Sequence, residues 1–166
     1  MPTPGTPVLR EAYQPLAYGI ETVDLDFKLD PQATVVTSQL KCVRNPDAAA
    51  GPVVLFGEAL TLLSIAIDGA PPAEGQVRET ESGLEVDVDA AEAVLTIVTR
   101  IDPSANLTLS GLYQSRGGFY TQCEAEGFRR ITYFPDRPDI MARYTVRLEA
   151  DAATCPVLLS NGNLLE

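Results

Sequence analysis

The residues with the widest chemical scope in this chain are Gln122, Glu124 and Glu126, which alternate in the run TQCEAE at 121–126. In an extended backbone alternate side chains share a face, so the three would project together while Thr121, Cys123 and Ala125 take the other side. At a rise of about 3.3 Å per residue the two carboxylates would lie about 6.6 Å apart. That spacing admits an acid and base pair of the kind that cleaves glycosidic bonds. Such pairs are usually drawn from different elements, however, and neighbouring glutamates on one edge are more often simply solvated. Carboxylates beside a side-chain amide suit a cation better, because a carboxylate only accepts hydrogen bonds while an amide adds a donor. A primary ammonium is the natural ligand. Cys123 has no histidine to activate it anywhere in the chain and reads as a small buried apolar residue.

The absence of histidine removes further mechanisms. No Ser-His-Asp or Cys-His arrangement can form, and no His-Glu-x-x-His zinc helix. Glycine-rich phosphate loops of the GxGxxG and GxxxxGK[ST] kinds are also missing. Twelve basic residues against 23 acidic ones leave a net charge of −11, with the acids spread along the chain. Phosphate backbones and anionic lipid surfaces are repelled by such a field, so neither nucleic acid nor membrane is an expected partner. No apolar run approaches the roughly 18 residues of a membrane span. Cys42, Cys123 and Cys155 are too few and too far apart for a disulfide scaffold, which favours a reducing cytoplasm.

The elements that must position Gln122 and Glu124 have a period of two. In VDLDFKLD, Val23, Leu25, Phe27 and Leu29 alternate with Asp24, Asp26, Lys28 and Asp30, the pattern of a half-exposed antiparallel strand. TVVTSQLKCVR (34–44), PVVLFG, ALTLLSIAIDG, GQVRETESG, LEVDVD and AVLTIVTRIDP continue the plan. Turn chemistry punctuates it at Asp30-Pro31, Asp68-Gly69, Ser82-Gly83 and Asp102-Pro103. NLTLSG (106–111), ARYTVRLEAD (142–151) and CPVLLSNG (155–162) bring the expected count to about ten. The fold class is therefore all-β, a bent antiparallel sheet or saddle, or a β-sandwich, in a single domain over 1–166. Three prolines before Gln14, with Pro15 after it, make 1–15 an extended leader with no secretory plan. The abrupt apolar finish at LLSNGNLLE fits either a cut inside a longer protein or a chain ending on a short strand.

The segment 112–139 breaks the strand period and mixes aromatic, basic and acidic residues, as long functional loops do. Three roles are open to it. Phe128, Tyr133 and Phe134 could plug one end of the sandwich while Arg129, Arg130 and Arg137 pair with local acids. The segment could be the binding loop of a free-standing β-sandwich interaction module. It could also be an interface that packs on another domain.

GLYQS (111–115), TQCEAEGFRRITYFPDRPDIMARYTV (121–146) and PVLLSNGN (156–163), with YQPLAYGIETVDLDFKLDPQATVVTSQLKCVRN upstream, resemble the amino-terminal domain of the aminopeptidase N family of zinc metallopeptidases. The likeness covers nearly the whole chain. It implies a β-domain that packs against a separate, downstream catalytic domain of the same polypeptide. It also implies that Gln122 and Glu124 bind substrate, with Glu124 holding the free α-ammonium of a peptide amino terminus; Glu126 matches the motif too, and a bond within the loop is the expectation for it. The zinc ligands, the general-base glutamate and the GAMEN-type motif of that family belong to the next domain. This chain is thus expected to carry no catalytic residue, bind no zinc and hydrolyse nothing alone, while the parent enzyme uses zinc. Phe119, Phe128, Tyr133 and Phe134 are expected to be partly exposed without that partner domain.

Overall fold

The computed structural model describes residues 9–165, which form ten strands and two short 3-10 turns. Of the leader expected over 1–15, residues 1–8 lie outside the described residues. The remainder is not extended throughout, because Arg10–Ala12 forms a 3-10 turn.

The large sheet holds five strands: β1 (Tyr18–Lys28), β2 (Thr34–Arg44), β4 (Thr61–Ile67), β7 (Glu92–Ile101) and β10 (Arg143–Glu149), in the order β10-β1-β2-β7-β4. A smaller sheet has the order β3-β6-β5, from β3 (Val53–Phe56), β5 (Val77–Thr80) and β6 (Gly83–Val86). β8 (Gly111–Ser115) and β9 (Gly118–Gln122) pair as a separate hairpin. The all-β reading therefore holds, with one difference in topology. β10 lies parallel to β1, so the large sheet is not wholly antiparallel. A parallel neighbour needs a long crossover, and here the first and last strands are joined through everything between them.

Alternation decides which face is buried. Thr34, Val36, Ser38, Leu40 and Cys42 of β2 and Ala93, Leu95, Ile97, Thr99 and Ile101 of β7 all face inward. In β1 the parity changes along the strand, from Tyr18 and Ile20 to Val23, Leu25 and Phe27. A register shift between Ile20 and Thr22 accounts for it, since one extra residue moves the following side chains to the opposite face. Val53, Leu55, Leu84 and Val86 of the small sheet join the same apolar cluster, so the two sheets share one core. At its end the Tyr18 hydroxyl reaches the carbonyls of Val88 (2.7 Å) and Ala90 (2.8 Å) and accepts a bond from Arg44 Nη2 (2.6 Å).

Two of the expected strands do not form. NLTLSG is a loop: Thr108 bonds back to Asn106 Oδ1 through both its backbone N–H (3.2 Å) and its hydroxyl (2.8 Å), and Leu109 has a φ of 56°. Leu107 and Leu109, which made the alternation look like a strand, point into solvent. CPVLLSNG is likewise unpaired, and exposed from Pro156 on, because the chain leaves the sheet after Glu149 and turns on Asp151, whose Oδ1 accepts from Ala153 (2.8 Å) and Thr154 (3.1 Å). The total of ten survives because β8 and β9 arise inside and beside the segment read as loop.

Cys42 is fully buried near the end of β2, and burial, with a smaller contribution from Asp68, pushes its thiol up to about 12. The neutral form is thus favoured by folding. Relative to an unfolded cysteine near pKa about 8.5, stability is complete below that pH and falls as pH rises toward 12, by up to about 1.4 kcal/mol per pH unit. Urea titrations of the wild-type chain and Cys42→Ala between pH 8 and 11 should show a shallower slope in the variant, the remainder coming from other raised groups such as Cys123. Parallel slopes would mean that Cys42 ionises freely in the fold.

Candidate substrate-anchoring site

The site begins on the β8–β9 hairpin. Arg116 and Gly117 at its tip both have positive φ (49° and 82°), the condition of a type I′ turn. The pairing places Tyr113 opposite Tyr120 and Gly111 opposite Gln122. Alternation then sorts the faces. Leu112 is buried and Phe119 packs against the core, so Tyr113, Tyr120 and Gln122 occupy the face turned away from it.

Gln122 is the last strand residue, and the extended continuation expected through Glu126 does not occur. Residues 124–127 form a turn in which the Glu124–Ala125 peptide is cis and Glu126 has a φ of 68°. Gln122, Glu124 and Glu126 are all exposed, but they do not line one strand face. The reason is Gly127. A Cβ there would lie 2.6 Å from the Gln122 carbonyl oxygen and 2.8 Å from Cys123 Cα, so the chain folds back on itself where only glycine fits. The Gly127 N–H closes the turn on the Cys123 carbonyl at 2.9 Å.

Behind the turn stands Arg129, whose side chain is 11% exposed. Its Nε lies 3.2 Å from Asp136 Oδ2, its Nη2 donates to the Asp136 carbonyl at 2.7 Å, and its guanidinium sits 4.7 Å over the Phe56 ring. The same Nη2 is 3.3 Å from Glu126 Oε1. Glu126 is therefore engaged within the loop. Arg130 pairs with Glu58, and Arg137 with Asp139 at 2.8 Å. Thr132 shares a 2.8 Å hydroxyl bond with Ser38 of β2, and Thr99 of β7 donates to the Ile131 carbonyl at 3.0 Å. Phe134 exchanges backbone bonds with Phe56 of β3, at 2.8 and 3.1 Å. Both sheets thus hold one short segment from opposite sides.

An aromatic cluster forms as well, with Tyr144 in the place expected for Tyr133. Phe128 meets Phe134 edge-on at 4.9 Å and Tyr144 of β10 at 5.9 Å. Phe134 is buried, contrary to the expectation of partial exposure, whereas Phe119, Phe128 and Tyr133 are half-buried. Phe134 is hidden because its backbone belongs to the edge of the small sheet. Burial, reinforced by Asp136, raises the Cys123 thiol, which fits a packing role and not a nucleophilic one.

Glu124 is different from its neighbours. Its carboxylate has no hydrogen-bond or ion-pair partner among the described residues, while its backbone carbonyl accepts from Gln122 Nε2 at 3.3 Å. Counting Glu58, Glu124, Glu126 and Asp136 against Arg129 and Arg130, the surroundings carry four carboxylates and two guanidinium groups. The excess negative charge suits a cation. Sequence reasoning missed the Tyr113–Tyr120 pair on the same hairpin face; the glycines of SRGGFY were the available sign of a turn there.

The family profile of the peptidase M1 N-terminal domain matches residues 14–166, and the chain belongs to that family. It is 52% identical over 151 residues to aminopeptidase N of Caulobacter vibrioides and 45% identical over 154 residues to aminopeptidase N of Escherichia coli. These alignments cover 91% and 93% of this chain but 17% of each relative, so the chain spans about a sixth of their length. The crystal structure of Legionella pneumophila aminopeptidase A in complex with aspartic acid superposes with a TM-score of 0.85 at 31% identity, over 94% of this chain and 19% of that one. An M1 zinc metallopeptidase from Deinococcus radiodurans shares the fold, with a TM-score of 0.69 at 17% identity over 84% of this chain and 34% of that one.

Gly127→Ala tests the turn geometry. Its φ of −85° is ordinary, so any effect is steric. We expect a loss of about 1–3 kcal/mol in urea denaturation, with the amide resonances of 122–124 displaced. A loss under about 0.5 kcal/mol with those resonances unmoved would show that the close approach does not shape the turn.

Proposed function

We propose that this chain is the substrate-anchoring amino-terminal domain of a zinc aminopeptidase, an enzyme that removes residues from the amino terminus of peptides. The observation that carries the reading is the Glu124 carboxylate, exposed and unpartnered on a turn whose other charged groups are tied down. An exopeptidase must distinguish a chain end from an internal peptide. The mark of that end is an amine with pKa about 8, charged at neutral pH. Glu124 accepts charge-assisted hydrogen bonds from this ammonium, each worth about 1.5–3 kcal/mol. Gln122 spends one amide N–H on the Glu124 carbonyl, which leaves its side-chain oxygen as a second acceptor for the ammonium. Fixing the amine also fixes the first peptide bond, a positioning contribution to rate.

Zinc does not fit this chain's own residues. There is no histidine, and no group of three His, Cys, Asp or Glu side chains among the described residues is placed to hold a metal. In the proposed enzyme the metal and the groups that activate water belong to the remainder of the polypeptide, which is this domain's principal partner. Three unpaired thiols support a cytoplasmic location. No helix among the described residues is long and apolar enough to cross a membrane.

Glu124→Gln in the complete polypeptide is the decisive variant. It should lower kcat/KM on substrates with a free amino terminus at least tenfold, about 1.4 kcal/mol, with the melting temperature unchanged. A loss below about threefold, under 1 kcal/mol, would instead support the reading of the loop as interdomain packing only.

A further inference from the structure

Resting on the amine-anchor reading, we propose that Glu126 is a positioning residue for Glu124: its ion pair with Arg129 fixes the turn 124–127, and with it the point at which the Glu124 carboxylate meets the substrate ammonium. Glu126 stands where the backbone disfavours a glutamate. Its φ of 68° lies in the left-handed region, which glycine and asparagine occupy readily and longer side chains do not. The side chain is 58% exposed, so the core does not require it there. It reaches the Arg129 guanidinium, with Oε1 3.3 Å from Nη2. A solvent-exposed ion pair adds little to stability. What this one does is hold a turn in place.

The two partners are unequally rigid, which sets the direction in which the pair acts. Asp136 Oδ2 accepts from the Arg129 backbone N–H at 3.0 Å and lies 3.2 Å from its Nε, the Asp136 carbonyl accepts from Nη2 at 2.7 Å, and the Phe56 ring centre is 4.7 Å from the guanidinium. Arg129 is therefore fixed from backbone to tip, and Glu126 is the partner drawn to it. On the other side of Glu124, Gln122 Nε2 donates to the Glu124 carbonyl at 3.3 Å, and the Gly127 N–H closes the turn on the Cys123 carbonyl at 2.9 Å. Glu124 thus lies between Gln122 and Glu126, both of which are tied down. Releasing Glu126 leaves the Glu124 carboxylate chemically intact but free to shift, and an anchor out of place misplaces the bond to be broken.

The test is a double-mutant cycle in the complete polypeptide, read as kcat/KM on a substrate with a free amino terminus. Glu126→Gly removes the tether while suiting the left-handed backbone, so it should lose about three- to tenfold with the melting temperature lowered by less than about 2 °C. Glu126→Gln, whose amide oxygen still accepts from Nη2, should lose less. Because Glu126 acts through Glu124, its loss should vanish when Glu124→Gln is already present. Full additivity of the two losses overturns the proposal and makes Glu126 a separate ligand of the ammonium. A loss below about twofold in Glu126→Gly overturns it as well, and so does a lowered melting temperature in both Glu126 variants, which would make the pair a support of the fold. Failure of the anchor has a different signature: Glu124→Gln alone then leaves kcat/KM unchanged, and this inference falls with it.

Discussion

Arg129 is the residue on which the site's shape depends. Its guanidinium is nearly buried, and a buried charge must be paired and fully hydrogen-bonded or it is strongly destabilising. Asp136 answers it from seven residues downstream, at 15% exposure, with both carboxylate and carbonyl, and Phe56 offers a ring face. Satisfying that one cation closes residues 129–136 into a compact loop. Glu126 is drawn to the same guanidinium from the solvent side. With Glu126 committed and Gly127 folded against Gln122, Glu124 is left as the carboxylate facing outward. The free acid of the site is a by-product of how its neighbours are paired.

That clamp works because the loop is seated on two sheets. Ser38 and Thr99 are fully buried hydroxyls at positions where alternation calls for apolar residues, and each spends its hydrogen bond on the segment 131–132. Phe134 meanwhile extends the small sheet by one bridge at β3. Hydroxyls buried in an apolar core are costly unless paired, so they also specify where the loop must sit. The same loop ends at β10, whose parallel pairing with β1 completes the large sheet. Sheet closure and site construction are therefore one event in the fold.

The charge balance of the proposed site suits a cation and offers little for chemistry. Its acids outnumber its cations, its cysteine is pushed toward the neutral thiol, and the chain has no imidazole. A division of labour between domains follows naturally from such a surface. On the proposed function, this domain supplies recognition groups on a hairpin and a pinned turn, and the reactive groups come from the remainder of the polypeptide. Rigid elements suit this role, since error in the position of an anchored amine passes directly to the bond being broken.

Much of this was legible in the residues themselves. The period of two in β1, β2 and β7 follows from a buried face and a wet face, and an all-β fold follows from it. The same residues excluded imidazole chemistry and carried the resemblance that singled out Gln122 and Glu124. What the chain could not disclose locally is anything that depends on partners distant in sequence. Leu107 and Leu109 alternate like a strand but find no neighbour to pair with, whereas Tyr113 and Tyr120 find each other across a turn. The parallel β1–β10 edge joins the two ends of the fold, and no pattern within either strand encodes it. Nor does TQCEAE reveal that its last glutamate belongs to Arg129 while its first remains free. Periodicity is a property of neighbours along the chain, so sequence determined the elements and the donor set. Pairing, parity after the β1 bulge and the direction of each carboxylate depend on contacts across space, and only the tertiary structure decided them.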